Sequence, residues 1–206
     1  MHEKKWLAGL LGFLFMANVV MAQPNNKAPL QGKTVTTAKQ QMSEHTDDLR
    51  ALMLTLYEQN PAELAKSTQV GAREMTEWVF DGKANWKFDG IRGLQKMQAI
   101  ELVFEPDFTG DQILALVAGI ETLLFDAYGG TNEFEIPVLQ DMQKHTQARC
   151  ELQGFLKRIT TQPPLTKPLS ILTQAIASQE IQHTVRKVIS RMSGNDGKKP
   201  GQDCQL

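Results

Sequence analysis

Residues 105–130 read EPDFTGDQILALVAGIETLLFDAYGG, and this stretch decides the fold. It has the form of a loop, a capped helix and a glycine stop. Thr109 or Asp111 can supply the N-cap, and Asp111 puts negative charge where the helix dipole favours it. Gly129-Gly130 forms a C-terminal stop, because glycine reaches the left-handed backbone without a steric penalty. At about 100° per residue, Asp111, Gln112, Ala115, Gly119, Thr122 and Asp126 gather on a narrow polar arc. Ile113, Leu116, Val117, Ile120, Leu123, Leu124 and Tyr128 take a far wider apolar one, with Leu114 and Phe125 at its other edge. An arc that wide predicts a helix covered on most sides, at the centre of a bundle. Its length between breakers, roughly 18 residues, approaches that of a membrane span, but Glu121 and Asp126 inside it argue against one.

Glu121 is the odd residue of this helix. Its helical neighbours are Val117, Ala118, Leu124 and Phe125, so its stem points into the apolar arc. A carboxylate there must find a partner, take up a proton, or reach past its neighbours to water.

Toward the N-terminus, His2, Lys4 and Lys5 make a basic start, residues 6–20 are apolar, and Val20-Met21-Ala22 supplies a cleavage site before Gln23. This pattern predicts a secretory signal peptide over residues 1–22; an uncleaved anchor is the alternative reading. No cysteine follows the cleavage point, which argues against a lipid-modified terminus. The expected address is periplasmic or secreted, with no stable membrane span after cleavage. Removing residues 1–22 from the 206 leaves 184, enough for one domain with a substantial core. The loss of Glu3, Lys4 and Lys5 takes the net charge from −1 to −2. A near-neutral chain without a dense basic patch is a poor match for nucleic acid. The two cysteines, Cys150 and Cys204, are expected to pair in an oxidising compartment, free or intermolecular thiols being the alternative. They offer no metal-site spacing.

The remaining chain divides into a flexible leader over 23–40, a helical domain over 41–193, and a polar tail over 194–206 that only a disulfide would hold. Helical spacing predicts a helix over 43–59 capped by Ser43, a further turn opened by Pro61, and a helix over 68–80 with Val70, Met75, Trp78 and Val79 inward. A loop over 81–90 follows, then a helix over 90–104 capped by Asp89. Beyond the central helix come one over 136–159, with Pro137 in its first turn, and a last one over 168–192. The last carries a stripe of Ile171, Ala175, Ser178, Ile181, Val185, Val188 and Met192. No strand-like alternation or internal repeat is visible. The expectation is all-α, a single-domain helical bundle of five to six helices.

Val138, Met142, His145, Arg149, Leu152, Leu156 and Ile159 follow a three-four spacing, which sets His145 and Arg149 on an apolar stripe one turn apart. An arginine on a buried face needs an anion. Glu121 is the expected partner, with His145 close by. The plain reading is an ion pair that fixes helix register, and the sharper one is a ligand or partner site. Acid–base catalysis is a third, although no nucleophile or metal set stands beside it. Trp78, Phe80, Trp86 and Phe88 surround a glycine-containing loop; they either line a groove for an apolar ligand or partner, or pin the loop to the core. His45 with Asp47 and Asp48 reads better as solvated capping residues than as a metal site. His183 and Glu180 read as a surface pair, and the scattered methionines as core filler. Gly-x-Ser-x-Gly, His-Glu-x-x-His, Cys-x-x-Cys and Walker-type loops do not occur, and neither metal nor cofactor is expected.

The run Leu94-Gln95-Lys96-Met97-Gln98 through Glu105-Pro106-Asp107-Phe108-Thr109-Gly110-Asp111, continued by residues 114–119, resembles a group of uncharacterised exported proteins of proteobacteria. That group has a Phe-x-Gly-Asp turn before a helix of the Ala-Leu-Val-x-Gly type. Ala148-Arg149-Cys150-Glu151-Leu152 is similar to the group's Ala-Arg-Asn-x-Glu run and departs from it at Cys150, where the pattern has asparagine. The likeness spans roughly residues 50–160. It implies a bacterial envelope location and marks Gly110, Asp111 and Arg149, but it carries no activity. The expected function is a non-enzymatic binding or interaction module of the cell envelope, taking an apolar small molecule or a periplasmic protein. The alternatives are a periplasmic enzyme using Glu121, His145 and Arg149, and a secreted effector or inhibitor.

Overall fold

Proline at a first helical position gives up an N–H that would be unpaired anyway, as Pro61 does directly after the longest described helix. That longest helix, α1 (Pro29–Gln59), is followed by α2 (Pro61–Ser67), α3 (Ala72–Asp81), α4 (Lys96–Glu101), α5 (Gln112–Ala127), α6 (Met142–Thr161) and α7 (Ala175–Ser193). The computed structural model describes residues 29–82, 85–130, 141–161, 170–193 and 204. The signal peptide, Pro137, Pro168 and the tail other than Cys204 lie outside the described residues. Among the described residues every regular element is helical, so the all-α expectation holds.

The helix count and several boundaries differ from expectation for local reasons. Residues 29–40 belong to α1 rather than to a leader, which leaves Ser43 in mid-helix and not at a cap. Ala38, Met42 and His45 are buried one turn apart, so the helical face continues above the apolar residues that first revealed it. The helix expected over 90–104 is broken. Arg92 (φ 58°) and Gly93 (φ 65°) take left-handed backbone after a 3-10 turn over Asp89–Ile91, and α4 starts afresh at Lys96. In α3, Met75, Thr76, Val79 and Phe80 form the inward face, and Trp78 is turned outward, 52% exposed. In α6, Asp141 Oδ1 accepts from Gln143 and Lys144 N–H at 2.9 and 3.3 Å, capping a start later than the one expected. In α7, Ala177 takes the buried place expected of Ala175.

The central helix is as expected. Every residue of α5 except Phe125 and Asp126 is buried. Asp111 is its N-cap: Oδ1 accepts from Ile113 and Leu114 N–H, both at 2.9 Å. At the other end Gly129 takes φ 72°, its N–H bonds Asp126 O at 3.0 Å, and Gly130 N–H reaches Phe125 O at 2.9 Å, a Schellman closure. Gly119 lets α4 pack at close range; a Cβ there would lie 2.7 Å from Ile100 Cγ1 and 2.9 Å from Lys96 O.

Side-chain registers fix the arrangement. Tyr57 meets Asp111, Thr46 meets Glu121 and Gln41 meets Tyr128, so α1 and α5 are antiparallel. The end of α5 meets the start of α6, with Asp126 on Lys144 and Tyr128 on His145, and the two helices also pack along each other, so they are antiparallel. Lys187 meets Asp48 and Arg191 meets Glu44, so α7 runs against α1. Helices α1, α5, α6 and α7 thus form an up-and-down four-helix bundle with a continuous apolar core. Helix α3 leans on the outside of α1 and α4 on the outside of α5. A disulfide joins Cys150 on α6 to Cys204, with the Cα atoms 5.3 Å apart.

Candidate functional site

Glu121 lies at the middle of α5 and is 3% exposed. Its Oε1 accepts from Thr46 Oγ1 at 2.7 Å, and its buried Oε2 has no hydrogen-bond partner among the described residues. Burial raises its carboxyl from the ordinary 4.5 to about 7, against the smaller opposing effects of the Thr46 bond and the nearby Arg50 guanidinium. Arg50 is itself held by Asp81 in a two-pronged pair at 2.7 Å and lies over the Phe80 ring.

The expected Glu121–Arg149 ion pair does not form. Glu121 faces α1, whereas the residues of α5 that meet α6 include Leu123, Asp126 and Ala127. Arg149 is fully buried on α6. His145, also buried, sets its ring edge-on to Tyr128 at 5.3 Å, two turns along α5 from Glu121. The three residues of the acid–base reading are thus not brought together as one group.

A polar network that the sequence did not reveal occupies the far end of the bundle. Arg191 Nη1 donates to His45 Nδ1 at 3.0 Å, which leaves the His45 proton on Nε2. Nε2 then donates to Tyr128 Oη at 3.0 Å, and Tyr128 donates to Gln41 Oε1 at 3.2 Å. Arg191 also pairs with Glu44 at 2.9 Å and Asp48 at 3.0 Å, and Lys187 pairs with Asp48 at 2.6 Å. The two cations hold the Asp48 carboxyl below its ordinary range against the effect of burial. Burial first, and then the Arg191 charge, push His45 down to about 3, so it stays neutral. His45 is therefore a buried relay residue rather than a solvated cap. The signal that could have found it is its place one turn from Met42 and Leu49 on the inward face of α1.

Gly110 and Asp111 are placed by the start of α5. Besides capping, Asp111 accepts from Tyr57 and Ser67 hydroxyls at 2.7 Å each, and Glu63 accepts from Gln112 N–H at 2.9 Å. Burial raises the Asp111 carboxyl even so. A Cβ on Gly110 would lie 2.6 Å from Gly90 O and from the Phe108 ring. Both residues thus have structural roles. Trp86 is half-buried, edge-on to Phe80 at 5.5 Å, and Phe88 also packs on the core, so these aromatics pin the loop inward; Trp78 alone of the four is exposed.

Two surface features remain. A polar cleft of about 430 Å³ lies between α4, α5 and α6. On it Asp126 receives Lys96 at 2.8 Å and Lys144 at 3.0 Å, which lowers its carboxyl in spite of partial burial. The second feature is an open groove of about 460 Å³ along the α6–α7 seam. Leu156 and Ile189 form its floor, and Gln153, Lys157, Thr160, Arg186 and Ser190 its walls. Among the described residues no group of His, Cys, Asp and Glu has metal-site geometry, and no helix is long and apolar enough to cross a membrane. Comparison of the chain with protein-family models, with curated proteins and with solved structures finds no match.

Proposed function

We propose that this protein is a non-enzymatic interaction module of the bacterial cell envelope, exported by cleavage after Ala22. The observation that carries the reading is the α6–α7 groove. Helix α3 leans on α1 and α4 on α5, whereas the described lining of the α6–α7 groove comes from those two helices alone and includes an apolar floor. Exposed apolar surface framed by polar side chains is characteristic of recognition sites. The Cys150–Cys204 bridge accords with an oxidising compartment. The acid–base reading stands second, because the polar cleft opens onto Asp126 and not onto Glu121.

Two measurements test this. Mass analysis of a periplasmic fraction should find a chain beginning at Gln23; retention in the cytoplasm with residues 1–22 intact overturns the address. A photo-crosslinking residue at Ser190, in the full chain expressed in the bacterium that encodes it, should capture a discrete envelope component. Capture should be lost in the Leu156→Glu variant. Capture that does not depend on Leu156 overturns the groove as the recognition surface.

A further inference from the structure

We infer that the α6–α7 groove is built for an acidic amphipathic helix of a partner protein. The inference deepens the interaction reading above and rests on it. Because α1 and α5, α5 and α6, and α7 and α1 are antiparallel pairs, α6 and α7 are antiparallel to each other, and a trough lies along their seam. From Gln153 to Thr160 the α6 wall extends for about 10 Å at 1.5 Å per residue. Gln153, Leu156, Lys157 and Thr160 recur at three-four spacing on α6, as do Arg186, Ile189 and Ser190 on α7. A ridge of side chains with the same spacing, on a third helix, fits between such rows.

Charge selects the kind of helix. Lys157 and Arg186 both line the trough, and among the described residues neither has an ion-pair partner; Arg186 donates to Gln182 Oε1 at 3.0 Å. The neighbouring cations are engaged elsewhere: Arg158 with Glu101 at 2.6 Å, Lys187 with Asp48, and Arg191 with Glu44 and Asp48. Two cations lining one apolar floor favour a partner that carries anions beside its apolar surface. The complementary partner is apolar along one stripe and carries carboxylates on its flanks. The open shape favours a helix over a small molecule, whose sites enclose most of the ligand surface.

The probes are two helix-forming peptides, each with leucine at i, i+3, i+4 and i+7. One carries glutamate and the other lysine at the flanking positions. Fluorescence anisotropy against the full-length oxidised protein should show the glutamate peptide binding about fivefold tighter or more, the equivalent of two exposed ion pairs. The K157E/R186E protein, altered only at exposed side chains and checked for helix content, should lose or reverse that preference, and raised salt should diminish it. Equal affinity for the two peptides, binding by neither, or a preference untouched by K157E/R186E overturns the inference. Vesicles containing phosphatidylglycerol form the other arm: groove-dependent binding to them, with no peptide binding, assigns the groove to lipid instead. If peptides fail while crosslinking at Ser190 still depends on Leu156, the partner class falls and the interaction reading survives. Loss of both removes both.

Discussion

Replacing Glu121 by glutamine should change how stability depends on pH. A carboxyl whose folded pKa lies above its unfolded one adds nothing at low pH and costs stability as pH rises through the interval between them. For Glu121 that interval runs from 4.5 to about 7. The accumulated cost is about 3 kcal/mol, taken undiscounted because the group is buried. His45 works in the opposite sense. Its folded pKa, about 3, lies below the ordinary 6.5. Stability on its account is complete above 6.5 and is lost as pH falls through that range, by about 5 kcal/mol. Where the two intervals overlap, between 4.5 and 6.5, their slopes cancel. The contributions of these two groups should therefore give the wild type a plateau across that window. In E121Q only the His45 slope remains, so stability should continue to climb from pH 4.5 to 6.5. The glutamine amide keeps the acceptor for Thr46 and adds a pH-independent offset. The quantity that matters is thus the change in the difference between variant and wild type, about 3 kcal/mol from pH 4 to 8. Urea unfolding at a series of pH values and fixed ionic strength measures it. Parallel curves for the two proteins would refute the reasoning.

Three other perturbations probe separate features. Because Glu121 and Arg149 are not paired, a double-mutant cycle with Glu121→Gln and Arg149→Met should give a coupling below about 0.5 kcal/mol by urea unfolding; a coupling of several kcal/mol would restore the pair. Gly119→Ala should destabilise by about 1–3 kcal/mol, because the new Cβ meets Ile100 and the Lys96 carbonyl, and calorimetry reads this as a lower Tm. Opening the Cys150–Cys204 bridge by Cys204→Ser should cost about 4 kcal/mol at a separation of 54 residues in the chain-entropy view. Denaturant midpoints of the variant and of reduced wild type should then coincide.

The sequence yields the fold class and the central helix because those depend on local rules. Asp111, the Ala-rich apolar run and Gly129 each act within a few residues, and each does in the structure what its chemistry requires. The disulfide was legible because only two cysteines exist. Lateral partnership was not legible. Spacing shows that Glu121 and Arg149 both point inward, but not which neighbour each meets. That depends on the rotation of α5, and Thr46 claims the acid. The His45–Tyr128–Gln41 chain was hidden for the same reason, since its members lie 83 and 87 residues apart. Trp78 was misplaced because hydropathy alone draws tryptophan inward, although Val79 and Phe80 already fill that face. The α6–α7 groove is written only in what two packed helices leave uncovered between them.

The lateral pairing of α1 with α7 has a consequence for synthesis. The first described helix finds its Lys187 and Arg191 partners on α7, 139 and 143 residues further along the chain than Asp48. Until that helix has been made, His45 lacks the Arg191 that donates to its ring, and Asp48 lacks both of its cations. This face of the bundle is thus closed only once α7 has been made. Under the export proposed above, that delay keeps the polypeptide threadable for as long as α7 is missing.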